Sequence, residues 1–196
     1  MARLKEFDED RAVDAAVDCF WNRGYEATSV RDLAQQMGIG GTSLYNTFGD
    51  KRALFVRSLE RYANRSTRER IARLETSHLP KEAIRAFLAE VIERSLKDPH
   101  RKGCLLVNSA LDVAPHDAEL GRVVSGYLDE IRAFFRRNVE AARTAGTTPH
   151  GIDAESVSIH LLGVLIGMRV LARTGAKRRT LEAVVQPALD LLERPR

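Results

Sequence analysis

The stretch "GIGGTSLYNTFGDKRALF", Gly38–Phe55, decides how the rest of the chain reads. It sets three glycines within four residues (Gly38, Gly40, Gly41) and then packs Leu44, Tyr45 and Phe48 within five. Such a run suits a phosphate-cradling loop, a sharp turn before a buried helix, or a surface laid on DNA. A P-loop is excluded, because "GIGGTS" lacks the lysine and follows a helical pattern rather than a strand. The turn reading fits better. Upstream, Val30, Leu33, Ala34 and Met37 recur at helical spacing, with Thr28 as the expected N-cap and Gly38 as the stop. Downstream, a third short helix ends near Phe48–Gly49, and Asp50 is placed to cap a long helix from Lys51 to about Leu74. Two short helices joined by a glycine turn make a helix-turn-helix pattern. Ala34 is small where the helices must approach, and Leu33, Ile39 and Leu44 are apolar where they would knit together. Taken alone, the pattern also describes a helical hairpin with no DNA role.

Outward from this stretch, almost every segment reads as helix. A first helix is expected over about Asp8–Arg23, and later ones over about 81–97, 103–113, 118–145, 153–174 and 180–194. The expected architecture is all-α, with an N-terminal domain over residues 1–50 and a larger helical domain over 51–196. Of the 196 residues, 44% are hydrophobic and 30% charged, which favours a packed core over disorder. The formal net charge of +4 permits a nucleic-acid partner and equally suits an ordinary basic protein. Cys19 and Cys104 are too few for a disulfide framework, so a reducing, cytoplasmic setting is expected. The start "MARLKEFDEDRAV" has no apolar signal-peptide core. No uninterrupted apolar run reaches the roughly 18 residues of a membrane span. The longest, "VSIHLLGVLIGMRVL", is broken by His160 and Arg169. The five histidines have no ligand spacing, so neither a metal site nor a cofactor is expected. Cys104 as an enzyme nucleophile would need a base and an oxyanion site, and the sequence offers no such arrangement, so no catalytic residues are expected.

The longer run "GYEATSVRDLAQQMGIGGTSLYNTFGDKRALF" resembles the DNA-binding domain of TetR/AcrR-family transcriptional repressors over about residues 8–60. Within it, "SLYNTFGDKRALF" sets Tyr45, Phe48, Lys51, Leu54 and Phe55 in the family's register. The resemblance implies a recognition helix over about Thr42–Phe48. Thr42, Ser43 and Asn46 would enter the major groove, and Tyr45 would turn its hydroxyl to a phosphate while its ring packs on the domain. Lys51 would meet backbone phosphate, and Thr28 would offer a backbone N–H. The chain departs from the family at Gly40 and Gly41, where many members carry a hydroxyl residue and then a lysine, so Thr42 is expected to cap the recognition helix. Residues 1–50 hold five Lys/Arg against nine Asp/Glu, a net of −4, and residues 51–75 hold eight against three, a net of +5. Arg52 or Arg57 is therefore expected to share the phosphate attraction, with Arg61 to Arg73 on a solvated helix face.

The resemblance also implies a double-stranded DNA operator, a small-molecule effector and a homodimer. Val157, His160, Gly163, Val164 and Gly167, with Leu181, Val184, Val185 and Ala188 on the last helix, are the expected dimer face. Phe87, Val91, Asn108, Tyr127, Ile131 and Phe134 are the expected effector-pocket wall, a list that equally describes a plain core. Cys104, expected in the first turn of a helix after Arg101 and Lys102, reads in two ways. It is a small buried hydrophobe, or it is the modifiable thiol of an electrophile- or redox-sensing repressor that also lines the pocket.

Overall fold

The computed structural model describes residues 7–193; Arg3, Lys5 and Glu6 of the charge count, and Arg194 at the expected end of the last helix, lie outside them. Helices follow as α1 (Glu9–Arg23), α2 (Val30–Met37), α3 (Gly41–Phe48), α4 (Lys51–Ala63), α5 (Glu69–Ser77), α6 (Pro80–Lys97), α7 (Leu105–Asp112), α8 (Ala118–Thr144), α9 (Ala154–Arg173) and α10 (Arg178–Asp190). There is no strand among the described residues.

Local chemistry sets the boundaries. Asp8, Asp50, Asp117 and Asp153 each accept backbone N–H groups at a helix start, as a short carboxylate does for the orphan donors there. The cap of α2 is Ser29 rather than the expected Thr28. Ser29 and Asp32 form a reciprocal capping box, while Thr28 is 1% exposed and spends its hydroxyl on the Gly24 carbonyl at 2.6 Å. Gly38 closes α2 at φ 67°, the left-handed turn that a helix-turn-helix needs and a side chain would resist.

The long helix expected from Lys51 to about Leu74 runs on to Ser77, and one π turn, Asn64–Arg68, separates α4 from α5. At that turn Ser66 is buried and its hydroxyl donates to the Tyr62 carbonyl at 2.6 Å. A side chain bonding back to the preceding turn competes with the helical ladder, which accounts for the local widening.

Two apolar cores result. The first joins α1, α2, α3 and α4 to α7 and the start of α8, through Phe20, Leu33, Leu44, Phe48, Leu54, Phe55, Leu105, Leu120 and Val124. The expected boundary at residue 50 therefore falls at the capped start of α4, whose apolar face belongs to this first core. The second core is built by α5, α6, the rest of α8, α9 and α10 around Phe87, Phe134 and Phe135. Averaged over its 20 residues, α9 is long and apolar enough to cross a membrane, despite His160 and Arg169. In the fold it is the central helix of this second core, packed on α8, α10 and α6.

Phe55 is 1% exposed, lies 4.9 Å from the Phe20 ring and 4.7 Å from Tyr25. Phe55→Ala should lower the unfolding free energy by about 3–5 kcal/mol, read from denaturant midpoints at unchanged slope. A loss below about 1 kcal/mol would mean that this aromatic cluster does not carry the first core.

Candidate DNA-binding face and effector cavity

One face of α3 is closed and the other open. Leu44 is 0% and Phe48 4% exposed, which fixes the helix against α2 and α4. Thr42, Ser43, Tyr45 and Asn46 are all exposed on the remaining surface. The helix starts at Gly41 with Gly40 as N-cap, one residue before Thr42. Thr42 is therefore not the cap, and no side chain caps this helix. A Cβ at Gly40 or Gly41 would meet nothing within 4 Å, so neither glycine serves packing. They leave uncovered N–H groups at a positive helix end, a surface that suits a close anionic backbone.

The other expected phosphate contacts divide. Lys51 is held ready, with Nζ 4.3 Å above the Tyr25 ring and 3.5 Å from the Glu26 carbonyl. Tyr45 differs from expectation in that its side chain stands out, 53% exposed, instead of packing its ring on the domain. Thr28 is a correction. It is buried, and its N–H already donates to the Tyr25 carbonyl at 3.3 Å. Ser29 and the exposed Arg31 take its place at the start of α2. The pattern Ser29-Val30-Arg31-Asp32 carries a capping-box signal that would have found Ser29 from sequence.

The acidic charge of the head is neutralised from α4. Arg61 holds Asp14 in a two-pronged pair at 2.8 and 3.0 Å and reaches Asp10 at 3.2 Å. Arg65 also meets Asp14, and Arg57 meets Glu9. The Arg61 hydrogen bond, opposed by burial, holds the Asp14 carboxyl below its ordinary value. Arg61 and Arg65 are thus not the free solvated face expected of them. Arg52 is likewise committed: it grips Asp117 at 3.1 and 3.2 Å and Glu119 at 2.8 Å, tying the start of α4 to the start of α8.

Of the expected effector residues, Phe87, Val91, Cys104 and Ile131 line one internal cavity, with Tyr62, Thr67, Leu165 and Arg169. Its free volume is about 30 Å³, room for about one water. The other three lie elsewhere. Tyr127 gives its hydroxyl to Glu60 at 2.5 Å, Asn108 donates to the Lys102 carbonyl at 2.8 Å, and Phe134 is sealed in the second core. Cys104 is the N-cap of α7, just ahead of its first turn, and is half-buried. The Tyr62 hydroxyl donates to its Sγ at 3.6 Å. Burial first, and the neighbouring Cys104 second, push the Tyr62 phenol well above its ordinary value.

The expected dimer face also divides. His160 and Gly163 are exposed, and Val157, Val164, Gly167 and Val184 are half-buried. Ile159 and Val170, 52% and 40% exposed, extend the apolar surface of α9. Leu181, Val185 and Ala188 are corrections: at 0%, 4% and 0% exposed they fill the chain's own second core, because α10 turns them onto α6 and α9.

Comparison with known proteins agrees with this geometry. The model for bacterial regulatory proteins of the tetR family matches residues 12–57, and that for the tetracyclin repressor-like C-terminal domain matches residues 80–188. The helix-turn-helix-type transcriptional regulator YezE of Bacillus subtilis (strain 168) is 32% identical over 98% of this chain and its own whole length. The transcriptional repressor ComR of Escherichia coli (strain K12) is 27% identical over 96% of this chain and 90% of its own. Among solved structures, a cysteine mutant of the TetR family regulator CifR, complexed with 26-bp double-strand operator DNA, superposes with a TM-score of 0.86. It is 32% identical and covers 96% of this chain and 98% of its own.

The Arg52 clamp has a pH signature. Hydrogen bonds from Arg52 first, then from the Leu120 N–H, hold the Asp117 carboxyl at about 2, below its ordinary 3.8. A carboxyl lowered in the folded state stabilises it fully above about pH 4, and that contribution disappears as pH falls toward 2. Asp117→Asn should flatten the acid limb of the stability–pH curve over this window. An unaltered limb would mean that the pair is solvated and idle.

Proposed function

The chain belongs to the TetR family of bacterial regulatory proteins, and on that premise we propose that it is a cytoplasmic repressor, homodimeric on a near-palindromic DNA operator and released by a small-molecule effector. The family's members are DNA-binding transcriptional regulators rather than enzymes. The observation that carries the proposal is the two-sidedness of α3. Leu44 and Phe48 fasten it, and Thr42, Ser43, Tyr45 and Asn46 are all exposed on its other side. Hydroxyl and amide groups so placed can read base edges in a major groove, while Lys51, Arg31 and the bare N–H groups at Gly41 meet phosphates. Two-fold pairing through the apolar surface of α9, around Ile159, Gly163 and Val170, would present two such helices to successive grooves.

Release would follow from linkage. An effector that favours a dimer with misplaced recognition helices weakens DNA binding, and DNA weakens effector binding by the same factor. The first core supplies the route, because α7 and α8 touch the effector cavity or its rim and also pack directly on α1 and α4.

A second reading is favoured by one contact. Cys104 lines the cavity and accepts the Tyr62 hydrogen bond, so covalent modification of its sulfur would break a link between α4 and α7. In that case the effector is an electrophile or oxidant. Cys104→Ser would then abolish release by N-ethylmaleimide, whereas a pocket ligand would still release the variant.

The primary test is selection of genomic fragments by the purified protein at about 0.15 M salt, where phosphate-only binding is weak. A short palindrome should be enriched. Recovery of no preferred sequence would remove the repressor reading. Against the recovered site, Asn46→Ala should cost about 1–3 kcal/mol and relax base preference at one position in each half-site. Lys51→Ala should weaken all sequences alike and shorten the salt slope by about one phosphate per head. The reverse pattern would reassign the two residues.

A further inference from the structure

Beside the small cavity lies a larger opening. Between α1, α6, the loop 98–104 and the end of α9 there is an open cleft of about 540 Å³, within the range of small-molecule sites. Its walls are strongly cationic. Arg70 is paired with Glu90 at 3.2 Å and Lys102 with Asp18 at 3.2 Å. Arg94, Lys97, Arg101, Arg169 and Arg173 line the same cleft and have no carboxylate at ion-pair distance among the described residues.

The carboxylates of the cleft are already engaged. Glu90 serves Arg70 and Arg73, Glu93 is bound by Arg178, and Asp98 accepts the backbone N–H groups of His100 and Lys102. Arg169 is 7% exposed, and its hydrogen bonds go only to neutral oxygens, the Ser95 hydroxyl at 2.7 Å and the Gly103 carbonyl. A buried guanidinium with no counter-ion is costly, and clustering such groups raises the cost. The strain registers on Arg70, pushed below its ordinary value by burial first and then by the charge of Arg94, with Arg169 adding to it. Trp21 adds an unused donor, since its indole Nε1–H is buried with no acceptor. Arg94 and Lys102 lie over its ring, at 5.8 and 5.1 Å.

Arg70, Arg94 and Arg169 line both this cleft and the apolar cavity walled by Phe87, Val91, Ile131 and Leu165. The cationic opening and the apolar cavity therefore meet at one arginine cluster. We propose that this combined site is the effector site and takes a small organic anion, a carboxylate or phosphate head on an apolar body. The proposal rests on the effector-released repressor reading and gives the effector its chemical class. The head supplies the missing counter-charge to the buried Arg169 and pairs with the exposed Arg94. The body enters a cavity with about 30 Å³ of free space, so it must displace side chains of α6 and α8. Trp21 belongs to α1, whose opposite face builds the head, so the ligand touches the reading domain directly.

Trp21 is the only tryptophan in the chain, and its fluorescence reports the cleft. The full-length protein is titrated with octanoate, octyl phosphate, octanol and octyltrimethylammonium. Either anion, or both, should give a saturable change at a concentration at least about tenfold below octanol, and the cation should give none. A response to one anion alone identifies the head as carboxylate or phosphate. Arg94 is exposed and forms no ion pair, so Arg94→Gln should keep the melting temperature. It should weaken the anions about tenfold and leave octanol unchanged. Equal binding of octanol and anions, no saturable response to either anion, or an indifferent Arg94→Gln would overturn the proposal. The binding anion is then added to the protein on its recovered operator. Release supports the effector assignment, and persistent DNA binding by the anion-loaded protein overturns it. Failure to recover an operator at all would instead defeat the repressor reading, with anion binding in the cleft still read from Trp21.

Discussion

The packing of α4 against α1 on one side and α7 and α8 on the other is the constraint on which the rest of the structure depends. Leu54, Phe55, Leu59 and Tyr62 are all buried in the core that head and body share. Three short helices of eight to fifteen residues would be a small unit to hold by themselves. Here they borrow apolar area from the body. The consequence is functional as much as energetic: the orientation of α3 is set by elements that also wall the cleft and cavity. The Arg52 clamp on Asp117 and Glu119 repeats the same connection in polar form, at the surface.

Charge is organised by the same helix. An N-terminal stretch of 50 residues with a net of −4 looks ill-suited to DNA. The structure shows that Glu9, Asp10 and Asp14 are turned to α4 and the π turn after it, where Arg57, Arg61 and Arg65 meet them. With those acids neutralised, α3, which carries no charged side chain of its own, has the helix terminus and Lys51 as its nearby positive features. A head of this kind leans on hydrogen bonding and fit more than on bulk phosphate attraction. A cluster of positive charge without ion-pair partners among the described residues, Arg94, Lys97, Arg101, Arg169 and Arg173, sits instead in the cleft beside Trp21.

The all-helical fold and the helix-turn-helix were legible because they depend on local signals. Helical spacing, Gly38 as the stop of α2 and Asp50 as the cap of α4 each act within a few residues. The inward face of α3 at Leu44 followed from the same signals, whereas Tyr45, expected to pack its ring on the domain, stands out. What sequence did not reveal was long-range. Tyr127 reads as a pocket aromatic, and only the fold brings Glu60 to its hydroxyl. Leu181, Val185 and Ala188 read as a dimer face because apolar stripes look alike whether a partner or the chain's own core covers them. The cationic cleft gathers residues from α1, α5, α6, α9 and the loop before α7, so no window of sequence contains it. The choice of Thr28 over Ser29 was a local error, since both are good caps and burial decided between them.

Cooperativity tests the shared core most directly. Urea unfolding at fixed protein concentration is followed by Trp21 fluorescence and by far-ultraviolet circular dichroism. The first probe reports the junction of α1 with the body, and the second reports all helices. If α4 welds head to body, the two curves superimpose. A helical signal that falls in two steps, with Trp21 changing in the smaller step at lower urea, would mean that the head folds as an independent unit, and the proposed route from cleft to DNA would lose its physical basis.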